Sequence, residues 1–150
     1  MRAVIQRVSE ACVQVDNQDV AIINCGLLIL LGIEVKDTLE DVEWLTKKIA
    51  QLRIFSDAEG KMNQSIIDVN GEVIVVSQFT LHAKTKKGSR PSYIKAARPE
   101  QSIPLYEQFK KDLSDAIGKK VYSGEFGANM KISLTNDGPV TILIDTKNKE

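Results

Sequence analysis

Hydrophobic and polar positions alternate with a period near two in several segments of the chain, as is typical of β-strands that bury one face. At the start of the chain, residues 4–8 and 11–15 follow this pattern and predict two paired strands separated at Ser9 and Glu10. A continuous apolar run at residues 26–33 predicts a strand at the centre of a sheet, where both faces are buried. Further strands are predicted at residues 119–123, 130–135 and 140–145.

Two segments have the spacing of an amphipathic helix, in which apolar residues recur every three or four positions. We expect the first helix to start at Asp37 or Thr38, which are good capping residues. The second helix is expected to start near Ser102 and Pro104 and to end at Gly118. The apolar faces of the two helices contain Val42, Leu45, Ile49, Leu52, Tyr106, Phe109, Leu113 and Ile117. Short strands with two helices and no regular alternation predict an α+β fold.

The composition is that of an ordinary globular chain, with 150 residues, 43% of them hydrophobic and 27% charged. A single domain is predicted at residues 1–145, followed by a polar and frayed tail at residues 146–150. Cys12 and Cys25 lie in apolar segments and are predicted to be core residues in a reducing compartment. The longest apolar run is too short to span a bilayer, so we expect a cytoplasmic protein with no membrane partner.

A predicted buried strand in the middle of the chain ends in a run of polar side chains. The β-branched residues 73–76 suit a strand covered on both faces, and the Asn-Gly pair at residues 70–71 predicts a tight hairpin turn before it. Ser77, Gln78 and Thr80 follow where the strand should reach the rim of the sheet. Such residues are ordinary at strand ends, but three hydrogen-bonding side chains on a rigid strand also suit a ligand site.

Positive charge is concentrated in one segment, although the whole chain is balanced with 20 basic and 20 acidic residues. No acid lies between His82 and Pro99, and the small residues and Pro91 in between predict a loop. This basic loop, residues 84–98, contains Lys84, Lys86, Lys87, Arg90, Lys95 and Arg98. Because it leaves the strand end that carries the polar run, we expect it to contact phosphate and not only to be solvated.

Side chains with familiar hydrolytic chemistry are scarce. One histidine and two separated cysteines indicate no metal site, and no carboxylate pair lies in an apolar setting. A nucleophilic site would need His82, which follows Thr80 by two positions. If the strand persisted, both side chains would share one face about 6.5 Å apart along the backbone, beyond direct hydrogen-bond reach. An exposed loop histidine is therefore expected.

A second unusual segment is Asn-Asp-Gly-Pro-Val-Thr at residues 136–141. Gly138 precedes Pro139 between two predicted strands, a position that permits a cis peptide bond and the display of backbone carbonyls. By itself the segment predicts only a turn.

Taken together, residues 77–81 (Ser-Gln-Phe-Thr-Leu) and residues 136–141 resemble the paired signature motifs of the D-aminoacyl-tRNA deacylases. The similarity extends to three further segments of that family. Residues 1–8 resemble its N-terminal strand, residues 87–93 its basic loop, and residues 126–130 the segment before its last hairpin. The resemblance therefore covers nearly the whole chain in order.

This resemblance implies a homodimer of α+β subunits, each with a mixed, largely antiparallel, barrel-like sheet and two covering helices. It implies hydrolysis of the ester that links a D-amino acid to the 3′-terminal adenosine of tRNA, and of glycyl-tRNA mischarged on tRNA(Ala). The expected partner is thus aminoacyl-tRNA, bound through its terminal adenosine and acceptor stem. No cofactor is implied.

By the same resemblance, Gly138 and Pro139 are joined by a cis bond and would enter the active site of the partner subunit. Their carbonyls would bind the substrate's α-amino group, and their backbone would exclude an L side chain. Only glycine lets a backbone approach so closely. Arg7 would orient the segment, a task that suits a guanidinium group binding carbonyls.

The remaining implied site residues surround the ester and the terminal nucleoside. The Phe79 N–H would face the developing oxyanion, and the 2′-hydroxyl of the tRNA itself would promote hydrolysis. The side chains implied around the ester, ribose and adenine are those of Ser77, Gln78, Thr80, Phe126 and Met130. His82 matches no requirement of the family.

Two alternatives stay open at this level. One is a hydrolase with Thr80 as nucleophile and His82 as base. The other is an RNA-binding module without chemistry, whose basic loop binds phosphates.

Overall fold

A six-stranded mixed sheet forms the centre of the protein, which a computed structural model describes for residues 1–150. The strands are β1 (Arg2–Val15), β2 (Gln18–Ile23), β3 (Gly26–Gly32), β4 (Phe55–Ser56), β5 (Met62–Gln64), β6 (Glu72–Ser77), β7 (Val121–Ser123) and β8 (Met130–Asp145). The helices are α1 (Leu39–Gln51) and α2 (Pro99–Ile117). All strands except β4 and β5, which form a separate small hairpin, belong to the central sheet.

The long strand β1 organises the sheet. On one edge it pairs antiparallel with β3 through residues 2–8 and with β2 through residues 11–15, and on the other edge with β8. Beyond β3 the sheet continues in parallel pairing to β6 and β7. The predicted α+β fold with a mixed, barrel-like sheet is therefore confirmed, and the apolar strand β3 is central as expected.

Two apolar clusters lie on opposite faces of the sheet. One joins the faces of α1 and α2 to alternate residues of the central strands, such as Leu27 and Val73, whereas the other contains their neighbours Leu28 and Ile74. Successive side chains of a strand point to opposite faces, and both faces are buried here. This explains why β3 and β6 are apolar at nearly every position. The two helices thus cover one face, as predicted.

Local signals set the ends of the helices. Thr38 precedes α1, and its N–H donates to the Asp41 carboxylate at 2.9 Å, as expected for a helix start. Helix α2 ends at Gly118, which has the left-handed conformation (φ 66°) that favours glycine. Its predicted start is wrong, because α2 begins at Pro99 and Ser102 lies within its first turns. Proline suits the first helical position, since the N–H that it lacks has no partner there.

Several predicted strand boundaries are also wrong. Residues 4–8 and 11–15 belong to one strand, and residues 130–135 and 140–145 also belong to one strand, β8, whose pairing is interrupted by a bulge. The Asn-Gly pair at residues 70–71 makes no hairpin, because the strand that follows it pairs in parallel with β3 and the residues before it form turns. Residues 55–63, predicted as a loop, include the small β4–β5 hairpin.

The start of the polar tail is ordered, so the prediction of fraying is wrong for Thr146 and Lys147. The Thr146 hydroxyl donates to Asp41 at 2.6 Å, and the Lys147 ammonium donates to the same carboxylate at 2.8 Å. Burial acts to raise the pKa of Asp41, but these two hydrogen bonds and one from Thr38 lower it to about 2. The cysteines also differ from prediction, since Cys12 is half-buried and Cys25 is exposed. Neither helix is long and apolar enough to cross a membrane.

Candidate active site

An apolar cavity of about 530 Å³ opens where β6 ends. Its walls come from the ends of β3 and β6, the basic loop, the first turns of α2, the connection between β7 and β8, and the start of β8. The lining residues from these elements include Val76, Ser77, Gln78, Phe79, Tyr93, Ala97, Ser102, Phe126, Gly127, Met130 and Ile132. An apolar cavity with a few polar groups at a strand end is a typical small-ligand site.

The wall at the end of β6 is a turn and not a continued strand. β6 ends at Ser77, the Gln78 N–H donates to the Leu31 carbonyl of β3 at 2.8 Å, and a single 3₁₀ turn follows at Phe79–His82. The Gln78 side-chain amide donates to the Thr80 hydroxyl at 2.5 Å. Ser77, Gln78 and Phe79 therefore line the cavity, whereas Thr80 lies behind them as a partner of Gln78.

Phe79 is the most open residue of this wall. Its side chain is 56% exposed, and its ring packs edge-to-face against Tyr93 of the basic loop, with ring centres 5.0 Å apart. None of the backbone hydrogen bonds of turns and loops uses the Phe79 N–H. A backbone N–H without such a partner, on a residue that lines an apolar cavity, is a suitable donor for an oxyanion.

The opposite wall is aromatic and is held from behind. Phe126 lies in the β7–β8 connection, and Met130 begins β8. The Phe126 ring packs edge-to-face against Tyr106 of α2 at 5.6 Å, and the Tyr106 hydroxyl donates to the Val75 carbonyl of β6 at 2.9 Å. Burial raises the pKa of Tyr106 to about 12, so this hydroxyl remains a donor at any ordinary pH.

The segment of residues 137–140 leaves the sheet opposite Arg7. Gln6 pairs with Thr141 and Val8 with Asn136, so four residues of β8 face a single residue of β1. The Asn136 side chain bridges this bulge, because its oxygen accepts the Val140 N–H at 2.7 Å and its amide donates to the Val140 carbonyl at 3.1 Å.

Arg7 fixes the bulge to the body of the protein. It is only 8% exposed, and its guanidinium group donates to the Asp137 carbonyl at 2.8 Å and to the Ile54 carbonyl at 2.6 Å. Gly138 has φ 144°, and the Gly138–Pro139 peptide bond is cis. Both residues are exposed, and neither they nor Arg7 line the cavity of their own chain.

His82 is not the exposed loop residue that was predicted. Its side chain is 2% exposed, its Nδ1 lies 3.7 Å from a carboxylate oxygen of Glu34, and neither ring nitrogen has a hydrogen-bond partner. The 3₁₀ turn ends the strand before Thr80, so the shared strand face required for a Thr80–His82 pair does not form. His82 does not line the cavity either.

Two residues of the site were not identified from the sequence. Tyr93 reaches the cavity from the basic loop, and Tyr106 supports Phe126 from the buried face of α2. Tyr93 had a signal, since an aromatic residue within a cationic loop is typical of a nucleic-acid surface. Tyr106 had none, because its helical spacing is the same as that of ordinary core residues.

The α+β fold and the cavity at its strand end define a class of ligand-binding or hydrolytic domain with a largely apolar site. Residues 4–145 match the family described as D-Tyr-tRNA(Tyr) deacylase, so the chain belongs to that family. The chain is 65% identical to a D-aminoacyl-tRNA deacylase of Bacteroides fragilis (strain YCH46) and 60% identical to one of Flavobacterium johnsoniae, each over the full length of both chains. The predicted family, and with it the prediction of a hydrolase, is confirmed.

Solved structures give the same fold. The chain is similar to the c-Myc DNA Unwinding Element Binding Protein, with a TM-score of 0.92 and 38% identity, covering 97% of this chain and 99% of the other. It is also similar to a probable eukaryotic D-amino acid tRNA deacylase, with a TM-score of 0.82 over 95% of this chain and 97% of the other. At 18% identity, this second likeness concerns the fold alone.

Proposed function

We propose that the protein is a cytoplasmic homodimer that hydrolyses D-aminoacyl-tRNA and rejects L-aminoacyl-tRNA through its backbone. The single observation that carries the proposal is the separation of two features within one chain. The cavity is lined mainly by apolar side chains, whereas Gly138 and Pro139 of the bulge are exposed and do not line it. A second copy that inserts its bulge into the cavity completes both.

In this proposal the cavity binds the end of the tRNA. The terminal adenine lies between Phe126 and Met130, where a flat base suits an aromatic ring and a flexible thioether. Ser77 and Gln78 surround the ester and ribose, with Thr80 holding Gln78 in place. This assignment is supported by the lining of the cavity and by the Gln78–Thr80 hydrogen bond.

Hydrolysis then breaks the bond between the acyl carbon and the ribose oxygen. Water adds to the carbonyl carbon, the developing oxyanion accepts a hydrogen bond from the Phe79 N–H, and the ribose oxygen leaves with a proton. The 2′-hydroxyl of the terminal ribose promotes the attack, so the protein contributes position and oxyanion stabilisation. The products are a free amino acid and tRNA.

Chiral selection comes from the partner subunit in this scheme. Carbonyls of Gly138 and Pro139 of the partner subunit accept hydrogen bonds from the substrate's α-ammonium group, and an L side chain collides with their backbone. Glycine has no side chain to exclude, so glycyl-tRNA mischarged on tRNA(Ala) is also a substrate. Arg7 supports this role by fixing the Asp137 carbonyl next to the bulge.

The basic loop supplies the contact with the acceptor stem. Its six cations are exposed, and none of them takes part in an ion pair. A nucleic-acid-binding module without chemistry is the second candidate, favoured by this loop and by the name of the 38% identical DNA Unwinding Element Binding Protein.

The deciding experiment measures release of amino acid from D-tyrosyl-, L-tyrosyl- and glycyl-tRNA by the purified protein. We expect kcat/KM for the D substrate to exceed that for the L substrate by at least about 100-fold, because the L side chain meets rigid backbone. Light scattering at the assay concentration should give the mass of a dimer. Binding of tRNA without D-selective release would favour the second candidate, and an active monomer would contradict the cross-subunit site.

A further inference from the structure

We infer that Phe79 and Tyr93 form a stacking subsite for the nucleotide that precedes the terminal adenosine. The inference rests on the proposed function and extends it from the terminal nucleoside to the single-stranded 3′ end of the tRNA. The ligand of this subsite is a nucleobase with its 3′ phosphate.

The first observation is an exposed aromatic pair at the cavity mouth. Both Phe79 and Tyr93 line the cavity, yet their side chains remain 56% and 38% exposed. The edge-to-face contact between the rings, at an interplanar angle of 73°, uses the face of only one of the two rings. An aromatic face that is open to solvent next to a nucleoside cavity suits the neighbouring base, because any base presents a flat π surface.

The second observation is that the backbone around Tyr93 is fixed, although most of the basic loop is exposed. Lys84 and Ser92 exchange two backbone hydrogen bonds of 2.8 and 3.0 Å immediately before it. After it, the Ala96 N–H donates to the Tyr93 carbonyl at 2.9 Å, and the Lys95 carbonyl accepts from Val35 at 3.1 Å. The backbone that carries the ring is therefore held in place, which lowers the entropy cost of stacking.

The third observation is the charge around the pair. The loop that carries Tyr93 contains six exposed cations and no acid, and this combination with an aromatic ring is the usual composition of a single-strand binding surface. A loop with this charge needs a negatively charged occupant. A protein would have to supply acidic residues, whereas the 3′ end of tRNA supplies phosphates that are covalently continuous with the nucleoside already in the cavity. The occupant is therefore the 3′ strand.

The test compares Tyr93→Ala with Tyr93→Phe on two substrates, D-tyrosyl-tRNA and the D-tyrosyl ester of adenosine. Stacking of one base on an aromatic ring contributes about 1–3 kcal/mol, which corresponds to about 5- to 160-fold. We expect the ratio of kcat/KM for the tRNA to that for the adenosine ester to fall by this factor in Tyr93→Ala. Tyr93→Phe, which keeps the ring, should preserve the ratio.

A binding measurement separates this inference from the proposed function. Titration with the trinucleotide CCA and with adenosine gives the extra affinity of the preceding nucleotides without any need for hydrolysis. We expect CCA to bind more tightly than adenosine to the wild-type protein, and Tyr93→Ala to lose most of that difference. Equal losses for CCA and adenosine, or no loss for either, would overturn the subsite. Normal binding behaviour in a wild-type protein with no deacylation would overturn only the proposed function.

Discussion

The wall at the end of β6 and the bulge on β8 present their backbones in opposite ways. The wall, at Ser77–Phe79, bounds an apolar cavity, and none of the backbone hydrogen bonds of turns and loops uses its Phe79 N–H. In the bulge at residues 137–140, Asp137, Gly138 and Pro139 are exposed and Val140 is half-buried. One region thus has a cavity and the other has an exposed segment of backbone. This is the arrangement expected when a site is completed by a second copy.

Two arginines of β1 hold these two regions. Arg2 donates to the Leu81 carbonyl in the 3₁₀ turn at 2.8 Å and pairs with Asp145, whereas Arg7 donates to the Asp137 carbonyl, also at 2.8 Å. The first half of one strand thus holds the backbone of both regions. In both regions, the group that the arginine holds in place is a backbone carbonyl.

The largest effect is expected for Gly138→Ala. A Cβ at this position would lie 2.8 Å from Val140 Cγ2 and 3.0 Å from the Arg7 guanidinium group, at a φ of 144° that disfavours any side chain. The bulge would have to shift, and a displacement of about 1 Å at a reacting centre lowers rates by about 100-fold. We expect kcat/KM for D-tyrosyl-tRNA to fall by about that factor and the D/L ratio to fall with it.

Gly60→Ala is the matched control for Gly138→Ala. Gly60 also has a positive φ of 78°, but it lies in the β4–β5 turn with no atom near an added Cβ. It should cost stability through backbone strain, by about 1–3 kcal/mol, without changing kcat/KM. If Gly138→Ala keeps both its activity and its rejection of the L substrate, the bulge has no role in the reaction.

An intermediate effect is expected for Arg7→Lys, with Arg2→Lys as its counterpart. A lysine cannot bind two carbonyls as a guanidinium group does, so one buried carbonyl loses its partner at a cost of about 1–3 kcal/mol. For Arg7→Lys we expect about a 10-fold loss in kcat/KM with a lower D/L ratio. Arg2→Lys should lower the rate for both substrates alike, because Leu81 lies behind the cavity wall and not at the bulge. The same change of D/L ratio in both variants would argue against separate roles.

The sequence predicted the elements of the fold better than their connections. The apolar run of β3 and the helical spacing of Val42, Leu45 and Ile49 follow directly from which side chains are buried. The predictions of a central strand and of a first helix are both confirmed. The Asn-Gly pair before β6 led to the wrong prediction of a hairpin. Its turn-forming residues are the same whether the next strand pairs antiparallel with the preceding segment or joins a parallel sheet elsewhere. Parallel pairing depends on distant residues, and no local pattern records it.

The site residues were predicted mainly from the resemblance to family motifs, and less from the chemistry of individual side chains. Five of the nine implied residues line one cavity, namely Ser77, Gln78, Phe79, Phe126 and Met130, although they are far apart in sequence. Reasoning from side chains alone left a Thr80–His82 nucleophilic site only as an alternative and expected His82 to be an exposed loop residue. It could not foresee the 3₁₀ turn that ends the strand before Thr80, or the burial of His82. The function of a backbone N–H or carbonyl leaves no mark on residue type, except where glycine is required, as at Gly138.

The smallest effect is expected for Tyr106→Phe, which tests the aromatic wall and not the bulge. The change removes the hydrogen bond to the Val75 carbonyl but keeps the ring that packs on Phe126. Loss of this bond should lower the free energy of unfolding by about 1 kcal/mol, measured by urea denaturation. If Tyr106 positions Phe126 against the adenine, KM for D-tyrosyl-tRNA should rise by about 3- to 5-fold while kcat and the D/L ratio stay unchanged.

Tyr122→Phe is the matched control for Tyr106→Phe. Tyr122 lies on β7 and is half-buried, and its ring packs near Lys120 outside the cavity lining. It should leave KM unchanged, so a rise in both variants would point to a general loosening of the sheet. A fall in kcat at constant KM in Tyr106→Phe would contradict a role in nucleoside binding. The aromatic wall would then act on the chemical step, which the proposed function places at the turn of Phe79 and the bulge of Gly138.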